Sequence, residues 1–249
     1  MTRRRTRALG ATLLALAAAA STVGCGADVE RSETTDGRRV DDGVRQVANG
    51  PLPDGNWALH IARRVQLRES PGGRVLGMIR TRTVFGAPVY LPVIERRDGW
   101  VRVRTSMRRA RSGWVPADAG PVLRQPRSIV IDLSDRRMRI IHRGRVTHSY
   151  KVAIGSPAHP TPTGTFYVTD RLRTDDPFGT YGCCILPLNV RQPNVPQGWG
   201  GGDRIAIHGT TDTTVLGQAV TLGCIRASNR AMRRVMRAVR LGTPVTVRE

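Results

Sequence analysis

Two side chains in the C-terminal half of the chain, His208 and Cys224, have the types that nucleophilic acyl transfer needs. An imidazole can accept a proton, and a thiol becomes a strong nucleophile once it has lost one. Arg204-Ile205-Ala206-Ile207-His208 reads as a strand running into Gly209-Thr210. Alternation puts Ile205 and Ile207 on one face and His208 on the other, so the imidazole is expected at the surface opposite the buried isoleucines. Thr221-Leu222-Gly223-Cys224-Ile225-Arg226 follows after a loop. Gly209 and Gly223 let backbone come close beside each reactive side chain. In such a pair the imidazole takes the thiol proton, the thiolate attacks a carbonyl, and neighbouring backbone N–H groups steady the oxyanion. The guanidinium fork of Arg226 suits a carboxylate, whether of a substrate or of the fold itself. Tyr181 lies ahead of the histidine strand as a candidate for lining a substrate cleft. Cys183, Cys184, His208 and Cys224 include zinc-ligand types, but their spacing is unlike a zinc ribbon or finger, and two adjacent cysteines do not easily aim both sulfurs at one ion. No metal or other cofactor is expected.

The elements around this pair are mainly β. Arg127 onward alternates Ile129, Ile131 and Leu133 with polar residues, turns at Ser134-Asp135-Arg136, and continues through Met138–His142 and an Arg143-Gly144 turn into a third strand. Further strands are expected over 164–171, 181–186, 204–208 and 243–247. One helix is expected, capped by Ser228, with Ala231, Met232, Val235, Met236 and Val239 as its apolar stripe and Gly242 and Pro244 ending it. Cys183 and Cys184 read as two small buried thiols, because adjacent cysteines rarely meet disulfide geometry. Residues 51–122 show short β-rich runs at 57–61, 75–79, 84–93 and 100–104, separated by Gly, Pro and Asp turns. Trp100 and Trp114 supply apolar area to a core too small to spare any.

The first residues bear on compartment. Arg3, Arg4, Arg5 and Arg7 precede an apolar run from Ala8 to Ala20, the pattern of an export signal over 1–24. The run is short for a membrane span. Thr22-Val23-Gly24-Cys25 resembles a lipoprotein signal box, which implies a diacylated Cys25 as the mature amino terminus and membrane anchor. Residues 25–50 are polar, lack apolar periodicity and read as a flexible linker. The expected location is therefore the outer face of the cytoplasmic membrane. The net charge of +21, nearly all of it arginine, favours anionic partners. Export excludes nucleic acid and leaves anionic membrane or wall polymers.

Two resemblances sharpen this reading. Val65–Gly72, Asp98–Val103 and Ser112–Val115 resemble a bacterial SH3-like domain, which implies a small β-barrel over 51–122; deleting that span is expected to weaken wall retention or the rate on polymeric substrate while leaving the chemistry on a small β-lactam nearly intact. His208-Gly209-Thr210 with Thr221-x-Gly223-Cys224-Ile225-Arg226, preceded by Thr161-Pro162-Thr163-Gly164-Thr165-Phe166, resembles the signature of the YkuD-type L,D-transpeptidases. Leu222 stands where that family usually has histidine, and Thr221 where it usually has serine. The resemblance implies a β-sandwich catalytic domain over 126–249 with the nucleophile near a helix start. It makes Cys224 the nucleophile, His208 the base and the Gly209 carbonyl the group that orients the ring, with Thr210, Thr221, Gly223, Arg226 and Tyr181 as candidate substrate contacts. It further implies attack on the third residue of a peptidoglycan tetrapeptide stem, release of D-alanine, and transfer of the thioester to an acceptor amine to make 3-3 crosslinks. Water in place of the amine would make an L,D-carboxypeptidase, and a decayed site would leave a wall-binding lipoprotein. Neither the acceptor nor the oligomeric state is implied.

Overall fold

The structure, a computed structural model, describes residue 52, residues 54–194 and residues 203–249. The export signal, Cys25 and the linker lie outside the described residues.

The N-terminal lobe is an antiparallel sheet of seven strands: β1 (Asn56–His60), β2 (Val65–Arg68), β3 (Val75–Ile79), β4 (Tyr90–Arg97), β5 (Trp100–Arg104), β6 (Ser112–Pro116) and β7 (Val122–Gln125), in the order β3-β2-β6-β5-β4-β1-β7. Period-two burial holds it together. In β5, Val101 and Val103 are fully buried while Trp100, Arg102 and Arg104 alternate with them toward solvent. Trp57 and Trp114 are buried, and the Arg97 guanidinium lies 5.6 Å from the centre of the Trp114 ring. The run over 84–93 is not one strand as expected. Thr83–Ala87 closes a turn through Thr83 N–H to the Ala87 carbonyl and Gly86 N–H to the Thr83 carbonyl, with Gly86 at φ 82°, and β4 starts only at Tyr90.

The C-terminal lobe contains β8 (Arg127–Asp132), β9 (Arg137–His142), β10 (Arg145–Lys151), β11 (Ile154–Gly155), β12 (Gly164–Tyr167), β13 (Leu172–Arg173), β14 (Cys184–Arg191), β15 (Arg204–Thr210), β16 (Ala219–Thr221), β17 (Ile225–Ser228), α1 (Asn229–Ala238) and β18 (Pro244–Arg248). One sheet runs β10-β9-β8-β18-β12, a second runs β13-β14-β15-β17, and β11 pairs with β16. The expected meander is β8 to β10. Its second turn carries positive φ at both Arg143 and Gly144, the backbone a two-residue hairpin needs. The two larger sheets and α1 enclose one core that includes Ile129, Ile131, Met138, Ile140, Leu186, Ile205, Ile207 and Val245. The helix matches its sequence pattern: the Ser228 hydroxyl accepts from Ala231 N–H at 3.2 Å, and Ala231, Met232, Val235 and Met236 are buried.

The lobes are not separable pieces. Tyr167, the last residue of β12, is buried in the core of the N-terminal lobe together with Leu59, Leu91 and Val103. Asn189 of β14 accepts from Tyr167 N–H at 2.7 Å and donates to the Thr105 carbonyl at 3.3 Å. Gln125 donates to the Leu241 carbonyl at 3.2 Å, and a β-carbon on Gly242 would fall 2.9 Å from that of Ala58. The expectation that the first module can be removed with little effect on the chemistry is thus corrected, because its removal would strip a buried tyrosine and several hydrogen bonds from the second lobe. Replacing Tyr167 by alanine is expected to cost about 3 kcal/mol or more, as for other large aromatic truncations. A denaturant titration followed by fluorescence and far-UV circular dichroism should show a single shifted transition; unfolding of the two lobes at separate midpoints would show that they are independent.

Candidate active site

Strand β15 lies between β14 and β17, pairing antiparallel with the first and parallel with the second. Every residue of β15 from Ile205 to Thr210 is buried, so both faces of the strand are covered, and His208 is only 2% exposed instead of standing at an open surface as alternation alone suggests. Its ring meets a partly open cavity of about 300 Å³ lined also by Tyr181, Leu222, Cys224 and Arg226. The structure thus brings together the two reactive residues, and Tyr181 packs edge-on against the imidazole with ring centres 5.0 Å apart.

The protonation pattern follows from local geometry. His208 Nδ1 lies 2.9 Å from the Gly209 carbonyl oxygen, which can only accept, so Nδ1 carries the hydrogen and Nε2 is left as the basic nitrogen. Burial pushes the His208 pKa down to about 4; the Gly209 carbonyl opposes this by favouring the protonated form, and the Arg226 charge adds to the lowering. Burial raises the Cys224 thiol, against the opposing pull of a backbone hydrogen bond from Ala206 and of Arg226. Burial also lifts Tyr181 to about 12, with the neighbouring Cys224 acting in the same direction and Arg226 against it. At neutral pH the resting pair is therefore a neutral thiol and a neutral imidazole.

Cys224, the expected nucleophile, sits in the turn between β16 and β17. The four residues of β17, paired along β15, separate it from the start of α1 at Asn229, so the thiol is near a helix start in sequence as the resemblance implied. Two threonines hold this turn. The Thr221 hydroxyl donates to the Cys224 carbonyl at 2.6 Å and accepts from Gly223 N–H at 3.1 Å. The buried Thr161 hydroxyl donates to the Gly223 carbonyl at 2.9 Å and accepts from Gly155 N–H at 2.8 Å. Gly223 has φ 108°, and a β-carbon there would meet the Gln192 amide at 2.8 Å and Ile205 at 2.9 Å. The upstream Thr161 segment is thereby given a physical role as a brace for the cysteine turn.

Other expected contacts fall differently. Thr210 does not line the cavity: its hydroxyl is taken up in a turn with Asp212, accepting that residue's N–H at 3.2 Å. Gly223 acts through its backbone. Arg226 does line the cavity, and its buried Nε has no hydrogen-bond partner among the described residues. Leu222 is 59% exposed at the cavity, so it does not substitute for histidine as a packing residue. The sulfurs of Cys183 and Cys184 are bonded to each other, directly after a turn that ends at Gly182, φ 58°, which corrects the expectation of two thiols. Asn229 was missed. Its Oδ1 accepts from Cys183 N–H at 2.8 Å and its Nδ2 donates to the Pro177 carbonyl at 2.9 Å, while a β-carbon on Gly209 would lie 2.2 Å from that same Oδ1. A helix-start asparagine reads as a cap in sequence, and nothing local reveals that it packs behind Gly209.

The profile of the YkuD family, the L,D-transpeptidase catalytic domain, matches residues 126–247. Nearly the whole C-terminal lobe thus matches the YkuD-type L,D-transpeptidase catalytic domain. Among individual relatives, the YkuD proteins of Bacillus licheniformis and Bacillus subtilis are each 32% identical to the chain over 122 residues, covering 49% of it and 66% of their own length. The chain therefore spans just under two thirds of these relatives. Among solved structures, an L,D-transpeptidase of Enterococcus faecium aligns over 49% of this chain and 50% of its own, with 24% identity and a TM-score of 0.39.

Two outcomes follow from the site. Thr161→Val removes one hydroxyl that serves two buried backbone groups, so a loss of about 1–3 kcal/mol is expected, recovered by Thr161→Ser. Chemical denaturation measures it, and faster alkylation of Cys224 by a bulky maleimide should report the loosened turn. The second concerns pH. A histidine depressed from 6.5 to about 4 stays neutral in the fold while the unfolded chain protonates first, so its contribution is fully present above pH 6.5 and is lost as pH falls toward 4. That window corresponds to about 3 kcal/mol. Stability measured at intervals between those limits should fall less steeply for His208→Gln than for the parent.

Proposed function

We propose that the protein is an L,D-transpeptidase that works on peptidoglycan stems through a Cys224 thioester. The observation that carries this reading is the shared cavity in which His208, its Nδ1 committed to the Gly209 carbonyl, offers Nε2 as the base in the same space as the Cys224 thiol. Because both groups rest neutral, the proton leaves the thiol as the sulfur attacks, and His208 receives it at Nε2. The resulting tetrahedral oxygen is stabilised by backbone N–H groups about the cysteine turn, and collapse expels D-alanine, which takes the proton back from His208. The stem is left as a thioester. An acceptor amine then loses its proton to His208 as it adds, and thiolate departure with reprotonation restores the resting pair. The unpartnered Nε of Arg226 supports a role in holding a stem carboxylate, since a buried guanidinium gains most from a fixed anion.

In the same reading the protein is exported and tethered outside the cytoplasmic membrane by lipid on Cys25, with the N-terminal lobe an SH3-like module facing wall polymer. The arginine-rich surface favours anionic membrane and wall partners. Cys25→Ala should then release the protein from the membrane fraction.

The catalytic assignment is tested by carbapenem acylation followed by intact mass, alongside product analysis with purified tetrapeptide muropeptides. Cys224→Ala should abolish both reactions. His208→Ala should remain folded and acylate about 10²- to 10⁴-fold more slowly at neutral pH, recovering partly as the pH rises and the thiol ionises unaided. The wild-type rate should hold down to well below pH 6, with its acid limb near the depressed pKa of His208, about 4. A stable His208→Ala protein reacting at the parental neutral rate would remove the base assignment, and hydrolysed stems without crosslinked product would identify a carboxypeptidase.

A further inference from the structure

The cavity that holds Cys224 is not walled by the catalytic lobe alone. Phe85, from the turn between β3 and β4 in the N-terminal lobe, lines it together with His208, Leu222 and Arg226. Its position is set by a chain of contacts across the lobe junction. Thr83 organises the turn, its hydroxyl accepting from Phe85 N–H and from Ala87 N–H, each at 3.2 Å, while the Arg82 guanidinium donates to the Gly86 carbonyl at 2.7 Å. The same Thr83 hydroxyl donates to Oδ1 of Asp170, which is fully buried in the C-terminal lobe. The other carboxylate oxygen of Asp170 lies 3.7 Å from Arg204, at the start of the strand that carries His208, and the Arg204 guanidinium stands 5.8 Å from the centre of the Phe85 ring. A buried carboxylate thus fastens the turn from one side, and a cation against the aromatic ring fixes it from the other.

This is more anchoring than a loop aromatic requires for packing, because Phe85 remains only half-buried, with its ring at the cavity. A large apolar side chain that is held rigid and left partly uncovered in a reactive cleft has its ordering cost met in advance, and so gains contact area when a ligand covers it. Leu172, Ile185 and Leu222 continue the apolar lining, whereas the charged groups nearest Phe85 are engaged: Arg204 with Asp170, and Asp203 with Arg191. We infer that Phe85 is a specificity-determining contact for the acyl donor, packing against the aliphatic part of the donor peptide, so that the N-terminal lobe forms part of the active site. The inference rests on the transpeptidase reading for the identity of the donor. Thr83, Asp170 and Arg204 act through Phe85 as positioning residues.

The test uses the full chain and a purified disaccharide tetrapeptide. In a Cys224→Ala background, which binds without reacting, Phe85→Ala should weaken binding about tenfold by calorimetry, and Phe85→Tyr should restore it. Thr83→Val should weaken binding in the same direction by a smaller factor, with recovery in Thr83→Ser. On the Cys224 protein, alkylation by iodoacetamide reports whether the thiol and its surroundings are intact, since so small an electrophile needs no donor contact. Parental alkylation with weakened tetrapeptide binding in Phe85→Ala is the expected result. Undiminished tetrapeptide binding would overturn the inference, and so would an equal loss of alkylation and of thermal stability, which would make Phe85 a structural residue. Tetrapeptide that binds the parent through Phe85 but never forms a thioester on Cys224 would overturn the transpeptidase reading while leaving the contact established. Absence of tetrapeptide binding to the Cys224→Ala parent would overturn the donor contact itself.

Discussion

The Gly209 carbonyl governs the chemistry of the cavity, because it is the acceptor that commits His208 Nδ1 to carrying hydrogen and leaves Nε2 to act as base. Everything near that carbonyl serves to keep it where it is. Gly209 has no space for a side chain: Asn229 closes one side, and Gly182 and Cys183 lie against it. Asn229 is in turn tied to Cys183 and Pro177, so the helix start, the turn before β14 and the catalytic strand are locked at one point. A neutral imidazole survives in this buried setting because the low-dielectric surroundings disfavour its charged form, and the same surroundings hold the thiol protonated. Both side chains are thus held uncharged in the resting site.

The cysteine turn shows the same economy. One hydroxyl, that of Thr161, satisfies backbone groups of two separate segments, and another, that of Thr221, closes the turn upon itself. Buried backbone groups demand partners, and using a side chain with both donor and acceptor capacity meets the demand without a longer element. The cost is sensitivity, since each of these threonines supports more than one bond.

Across the lobe junction the fold is continuous. Tyr167 places a catalytic-lobe ring in the core of the other lobe, and Phe85 returns an aromatic from that lobe to the catalytic cavity. Asp170 sits between these exchanges, fully buried, with Thr83 on one oxygen and Arg204 near the other. Arg204 opens β15, the strand that carries His208, so the junction and the imidazole share one element.

Much of this was legible in the chain itself. The mainly β character, the β8–β10 meander and helix α1 with its Ser228 cap follow from signals carried by neighbouring residues, namely alternation, turn glycines and a capping hydroxyl, while motif spacing singled out His208 and Cys224, which line one cavity. Tertiary structure decided the rest. His208 faces a cleft and not open solvent because packing covers both faces of β15, which no local pattern records. The 84–93 run is split by the turn that Thr83 and Gly86 close, and Cys183 and Cys184 are bonded to each other. Thr210 and Thr221 look alike as candidate contacts beside the reactive residues, yet one serves a turn with Asp212 and the other braces Cys224. The role of Phe85 was hidden for the same reason: it lies far from Cys224 in sequence, and contacts between distant segments are set by how sheets pack, whereas sequence patterns report only what adjacent residues do to one another.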